Sequence, residues 1–357
     1  MKILGISAFY HDSSATLISD GKVLFACQEE RLTRIKHDSS FPSKAIEATL
    51  KHCQIAAEEI DAIVFFEKPF LKFERLIETY LAFAPSGFNS FLKAIPLWLN
   101  EKLFQKKLLS DELMKLGFTK KQGKNILFSE HHLSHAASAF FASGFAEALI
   151  LTMDGVGEWQ TTTVYKGSHN SLQKVFELRF PHSLGLLYSA FTYHCGFKVN
   201  SGEYKLMGLA PYGTPRFTGL IKKHLIDIKD DGSFRLNMKY FDYCVGLKMT
   251  NRLFNQLFEN SHRQPEEELK IIHMDLAASI QAVLEEVILK MCHFIKNKFQ
   301  IDNLCLAGGV ALNCAANGRL YKENIFKNVW VQPAAGDAGG SLGAAWAAYY
   351  LHFRKTH

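Results

Sequence analysis

Short apolar runs bounded by turn residues open the chain: Lys2 to Ala8, Ala15 to Ser19 and Lys22 to Gln28 predict three strands. Asp20-Gly21, between the second and third, has the composition of a two-residue hairpin turn. Pro42 stands at a favoured first helical position, and the pattern through Ala45, Ile46 and Leu50 predicts a helix behind it. A strand over Ala62 to Phe66 follows, then a largely helical insertion. After it come a strand over Asn125 to Phe128 and a helix opening near Ser129. The order is βββαβ, an insertion, then βα.

The rest of the chain repeats this scheme. Ala148 to Met153, Gln160 to Tyr165 and Leu172 to Leu178 read as strands, and a helix runs through Leu186, Ala190 and Tyr193. A loop-rich insertion covers roughly Gly202 to Pro265. An amphipathic helix over Met274 to Phe299 carries Leu276, Ile280, Val283, Leu284, Val287 and Ile288 on one side. The strand Asn303 to Ala307, a glycine turn, a helix, the strand Val329 to Gln332 and a last helix complete the pattern. The two halves share order more than residues. The expectation is an α/β fold of two βββαβα units facing each other across a cleft. Residues 1–147 would form the first, with an insertion at about 68–124. Residues 148–357 would form the second, with an insertion at about 202–268.

Composition narrows the function classes. The 357 residues, 48% apolar and 21% charged, suit a globular chain with a full core. A net charge of +6 is spread along the sequence, without the long basic tract of a dedicated nucleic-acid binder, so no nucleic-acid partner is expected. The start at Met1-Lys2-Ile3 lacks the pattern of a signal peptide. No uncharged apolar run reaches the ~18 residues of a membrane span. The most apolar stretch, Phe88 to Leu99, is broken by Lys93 and Pro96 and reads as a helix packed on the core. Seven cysteines without close pairing argue against a disulfide framework or a cysteine zinc site and favour a reducing cytoplasm.

Chemistry concentrates at the predicted strand ends. In His131-His132-Leu133-Ser134-His135, residues four apart share a helical face, so His131 and His135 converge while His132 points elsewhere. Such a pair either holds a transition metal or is a polar helix start. Asp154 follows a buried strand and precedes Gly155-Val156-Gly157-Glu158, a position suited to a cleft. Asp337, within Ala334 to Gly340, either completes a ligand set or caps a helix. Two histidines with two carboxylates would suit iron, manganese or zinc. Gly308 and Gly309, ahead of Asn313, put free backbone N–H groups at a helix start, as a phosphate site needs, or serve close packing. His11, in the turn after the first strand, could accept a proton from a hydroxyl or simply bond Asp12. The charged run Gln28 to His37 and the glycine-punctuated segment Gly202 to Gly213 are less decided: the first reads as surface or a cationic anchor, the second as more than an idle loop.

Taken together, these segments resemble the O-carbamoyltransferase family, which includes nodulation proteins and antibiotic-tailoring carbamoyltransferases. The resemblance rests on the His11-Asp12 turn, Gln28 to Asp38, His131 to His135, Asp154 to Glu158, Gly202 to Gly213, Gly308 to Asn313 and Gly336 to Gly340, in the family's order. It implies a duplicated RNase H-like fold of the actin and sugar-kinase superfamily, related to the tRNA threonylcarbamoyl-transfer enzymes. It implies that ATP and carbamoyl phosphate give a carbamoyl-adenylate, whose carbamoyl group passes to a hydroxyl of a sugar or natural product. By the family's pattern His131, His135, Asp154 and Asp337 hold one metal, iron before zinc or manganese, and His11 assists transfer. Gly155, Gly308, Gly309, Asn313 and Lys205 fall to the nucleotide, Lys36 and Glu203 to substrate or carbamoyl contact. Family members usually continue into an adenylate-forming domain, whereas this sequence stops at His357. The expectation is therefore a transfer half served by a further domain or partner chain. The alternatives are a tRNA-directed threonylcarbamoyl transferase and a truncated nucleotide-binding protein that needs a partner.

Overall fold

A computed structural model describes residues 1–88, 90–92 and 104–355. The helix expected over Phe88–Leu99 lies largely outside those residues.

Strands β1 (Lys2–Ser7), β2 (Ser14–Ser19) and β3 (Lys22–Gln28) form an antiparallel meander, and the Asp20-Gly21 turn joins the last two. Helix α1 (Ser43–Cys53) leads to β4 (Ala62–Phe65), and α2 (Pro69–Phe83) opens the insertion that precedes β5 (Leu127–Phe128). Helix α3 (His131–Ser143) then crosses to the second half. There β6 (Glu147–Met153), β7 (Gln160–Ser168) and β8 (Ser171–Arg179) repeat the meander, followed by α4 (Leu184–His194). The second insertion is more ordered than its composition predicts. It holds α5 (Glu203–Leu209), a short helix at Thr218–His224 and the hairpin β9 (Ile226–Ile228) and β10 (Phe234–Leu236). Helix α6 (Ile271–Phe299), β11 (Asn303–Ala307), α7 (Cys314–Lys322), β12 (Asn328–Val331) and α8 (Gly340–Trp346) complete the chain, α8 running on as a π-helix to His352.

The two five-stranded sheets have one plan. The first runs β3-β2-β1-β4-β5 and the second β8-β7-β6-β11-β12. In each, the three meander strands are antiparallel and the two added strands join in parallel. The central strands β1 and β6 are buried over nearly their whole length, because layers cover both faces, and their sequences are continuous apolar runs rather than alternating ones. This is the duplicated RNase H-like arrangement.

One element departs from the division read in the sequence. Helix α8 lies beyond residue 148, yet Ala344, Ala345, Trp346, Ala348, Tyr349 and Tyr350 pack in the core of the first sheet with Ile3, Leu4, Leu17 and Phe65. Trp346 Nε1 donates to the Gly21 carbonyl at 2.8 Å. Between the sheets α8 meets α3 so closely that a Cβ on Gly343 would run into the Ser134 carbonyl. Gly343 stands against the backbone of Ser134 and Ser138, so its missing side chain permits that approach, which holds the first turns of α3.

All seven cysteines are free thiols. Among the described residues no helix is long and apolar enough to cross a membrane.

Candidate functional site

Four buried or half-buried donors meet where α3, β6 and the turn before α8 converge. His131 and His135, one turn apart on α3, bring their Nε2 atoms to 3.0 Å. Asp154, the first residue after β6, places Oδ2 at 2.9 Å from His131 Nε2 and 3.6 Å from that of His135. Asp337, in the 3-10 turn Asp337–Gly339, places Oδ1 at 3.4 and 3.5 Å from the same two nitrogens. One ligand atom of each residue lies within 4.8 Å of all the others. His132 faces away and bonds the Thr152 hydroxyl through Nδ1 at 2.7 Å, as the helical spacing requires.

The chemistry of this set fits a small cation. Two imidazoles and two carboxylates are the donors that borderline first-row metals take. Among the described residues the buried Oδ2 of Asp337 has no hydrogen-bond partner, and Asp337 does not cap α8. Burial disfavours charge on every member. Nevertheless Asp337 and Asp154 hold His131 well above the ordinary imidazole range, and both carboxylates raise His135. In return His131 and His135 hold Asp154 well below the carboxylate range, and His11 and His131 lower Asp337.

In front of this cluster opens a cavity of about 370 Å³, lined from the first half by Tyr10, His11, Asp12, Lys36 and His37. From the second half come Asp154, Gly155, Tyr188, Glu203, Met207, Gly309, Asn313 and Asp337. His11 makes the bond to Asp12 that its sequence allowed, with its other ring nitrogen turned toward Asp337. Its Nδ1 bonds Asp12 Oδ2 at 2.8 Å, and its Nε2 lies 3.7 Å from Asp337 Oδ2. Asp12 also binds His37 Nδ1 through Oδ1 at 2.8 Å, so one carboxylate orients two rings. Burial works against charge on His11, but Asp337 and Asp12 outweigh it and push the imidazole up to about 9.

The glycine turn lies directly behind Asp154. Gly308 has φ +89°, and a Cβ there would collide with the Met153 carbonyl, so only glycine passes so close to β6. Its neighbour Gly309 donates its N–H to Asp154 Oδ1 at 3.2 Å. Asn313 caps α7 through the Ala316 N–H and exchanges hydrogen bonds with Gln281 of α6, which also accepts from Tyr188 Oη. Glu203 is anchored by Ser189 Oγ and the Asn200 N–H, and Lys36 Nζ sits 5.1 Å above the Tyr204 ring. Of the sequence-derived candidates, Lys205 is exposed and does not line the cavity. It falls between Glu203 and Met207, which share the opposite face of α5.

Several residues that shape the site escaped the sequence reading. Glu158, buried, accepts the His131 N–H at 3.0 Å and thus supplies an anion to the start of α3. Arg75 of α2 donates Nη1 to the carbonyls of Gly157 and Glu158, both at 2.6 Å. The buried pair Glu67 and Lys72 stands behind His131. Of these only Glu158 falls in a glycine-marked segment, where nothing in the pattern gave it a role, and only their neighbours in space give them meaning.

The chain is similar to known proteins in sequence and in fold. Residues 2–346 match the family model described as the carbamoyltransferase N-terminus. An uncharacterized protein of Synechocystis sp. is 57% identical over 99% of this chain and 58% of its own length. Nodulation protein NolNO of Sinorhizobium fredii is 34% identical over 95% of this chain and 46% of its own. The chain thus spans about half the length of these curated relatives. In three dimensions, component A of the (R)-2-hydroxyglutaryl-CoA dehydratase of Acidaminococcus fermentans superposes with a TM-score of 0.50 over 98% of both chains at 15% identity, a likeness of fold.

Proposed function

The chain belongs to the carbamoyltransferase family, and from that premise we propose that its cleft transfers a carbamoyl group from carbamoyl-adenylate to a hydroxyl of a sugar or natural product. The supporting observation is convergence: His11, Asp154, Asp337, Gly309 and Asn313 line one cavity, from both halves of the fold. His131, His135, Asp154 and Asp337 would hold one divalent cation, iron, zinc or manganese. Bound there, such an ion supplies Lewis acidity toward a carbonyl or phosphate oxygen.

The residues of the chain do the rest. The glycine turn and Gly155 let backbone approach the phosphate of the adenylate closely; the free amides expected at Gly308 and Gly309 are instead taken by the Ala335 carbonyl and by Asp154 Oδ1. Lys36 supplies positive charge at the first-half wall, and Glu203 a polar contact opposite. His11, held by Asp12, takes the proton of the acceptor hydroxyl at Nε2 as the oxygen attacks the carbamoyl carbon. The new C–O bond replaces the bond to the phosphate oxygen, and AMP departs with that oxygen. Carbamoyl phosphate and ATP are the upstream substrates by family, and the adenylate-forming step belongs to a further domain or partner.

The test is to supply purified chain with carbamoyl-adenylate and a panel of hydroxyl acceptors. Carbamoylated product and AMP are expected in equal amounts, and His11→Ala is expected to slow transfer by roughly 10²–10⁴-fold, the usual range for a general base. Near-normal transfer by His11→Ala with unchanged metal content would remove His11 from the reaction.

A further inference from the structure

Behind the four-donor cluster lies an ion pair that no step above uses. Glu67 directly follows Phe66 at the end of β4, and Lys72 sits in the first turn of α2. Both are buried, at 0% and 5% exposure, and Lys72 Nζ meets Glu67 Oε2 at 2.5 Å. A buried ion pair is a poor way to stabilise a fold, because desolvation offsets most of the attraction. Apolar residues of similar volume would serve packing as well, so the pair calls for another reason.

Its neighbour supplies one. Oε2 of Glu67 faces His131 Nδ1 at 3.5 Å, and among the described residues that buried nitrogen has no other partner. The distance is long for a formed hydrogen bond but within the reach of an ion pair. The opposite nitrogen of the same ring, Nε2, points at Asp154 and Asp337. An imidazole that offers Nε2 to a cation must carry its proton on Nδ1, and that proton needs an acceptor. Glu67 is that acceptor by position, and Lys72 supplies the counter-charge that keeps the carboxylate in place. Lys72 Nζ also lies 4.9 Å from the Tyr10 ring centroid, and the Tyr10 ring packs 4.4 Å from that of His11. One lysine is thus tied to both the ligand cluster and the cavity wall.

We propose that Glu67 and Lys72 are positioning residues of the cluster: Glu67 fixes the tautomer and orientation of His131 through Nδ1, and Lys72 fixes Glu67. This rests on the reading of His131, His135, Asp154 and Asp337 as cation ligands.

The experiment titrates the metal-stripped chain with Co2+, followed by its visible absorption and by competition with a chelator of known affinity. Wild type is expected to bind one ion, and His131→Ala to lose most of that affinity. If wild type binds none, the ligand reading itself fails and this proposal falls with it. With wild type binding, Glu67→Gln, which keeps shape and removes charge, is expected to weaken Co2+ binding by roughly 10–100-fold and shift the absorption bands. Lys72→Met is expected to do the same, and the double variant to lose no more than either single one, because the two act as a unit. Thermal midpoints of the stripped proteins separate this from unfolding. Glu67→Gln or Lys72→Met that stays folded and binds Co2+ within about twofold of wild type, with unaltered bands, would overturn the proposal.

Discussion

The backbone N–H of Gly309 donates to Oδ1 of Asp154 at 3.2 Å, while Oδ2 of the same carboxylate faces His131 at 2.9 Å. One side chain therefore joins the glycine turn after β11 to the donor cluster on α3. Movement at either is felt at the other. Asp154→Asn keeps the acceptor for Gly309 but removes the charge that faces the histidines. The expected result is a loss of metal affinity beyond the roughly 10–100-fold typical of outer residues, with a thermal midpoint within a few degrees of wild type. Metal titration alongside thermal unfolding reads both.

The base assigned to His11 gives a pH dependence with a definite sign. The imidazole must be neutral to accept a proton, and Asp337 and Asp12 push it up to about 9 despite burial. Activity should therefore rise with pH through the neutral range. Asp12→Asn removes one of the two carboxylates that favour the imidazolium, so the acid limb of the rate profile should move to lower pH. The maximal rate should fall, because the ring loses its orienting partner. A profile that stays in place in Asp12→Asn would separate the acid limb from His11.

Stability should respond to acid through a different histidine. His194 is buried among Phe254 and Phe258, and burial, with His262 and His273 nearby, depresses its imidazole from 6.5 to about 3. Its folded value lies below its unfolded one, so the unfolded chain binds the extra proton and stability falls as pH drops through that window. The loss approaches about 1.4 kcal/mol per pH unit between the two values. His194→Leu gives up the Ser261 hydrogen bond, about 1 kcal/mol, but should flatten the slope. Urea unfolding at several pH values between 4 and 7 would show a parallel slope in both proteins if His194 were not the group.

The contact of α8 with α3 makes a prediction about packing. A Cβ on Gly343 meets the Ser134 carbonyl, whereas one on Gly318, exposed in α7, meets nothing. Gly343→Ala should cost roughly 1–3 kcal/mol by overpacking and weaken metal binding through the displaced first turn of α3. Gly318→Ala should instead stabilise by about 0.5–1 kcal/mol, the helical preference for alanine over glycine.

These residues also mark what the sequence could carry. The repeated sheet order was legible because apolar runs of strand length fell between turn residues twice in the same sequence. The histidine pair was legible because a four-residue spacing has one geometric meaning on a helix. Both aspartates stood beside glycines at strand ends, where clefts form. The return of α8 to the first sheet was not legible, since helix-to-sheet partnership is decided by tertiary packing and its one polar side chain, Ser341, shows its partners Ser14 and Thr16 only in the fold. Glu67 and Lys72 were invisible for the same reason: their meaning depends on His131, more than fifty residues away. Lys205 missed the cavity by helical phase, in a segment whose glycines read as loop and which folds as α5.

Metal content and carbamoyl transfer, measured together on wild type and His131→Ala, bear most directly on the function proposed for the cleft. The two proteins would be purified in parallel, analysed for bound iron, zinc and manganese, and given carbamoyl-adenylate with hydroxyl acceptors. The prediction is one metal per chain and AMP-coupled transfer in wild type, with both lost in His131→Ala while the fold is kept. A His131→Ala protein that retains its metal and its transfer rate would contradict it.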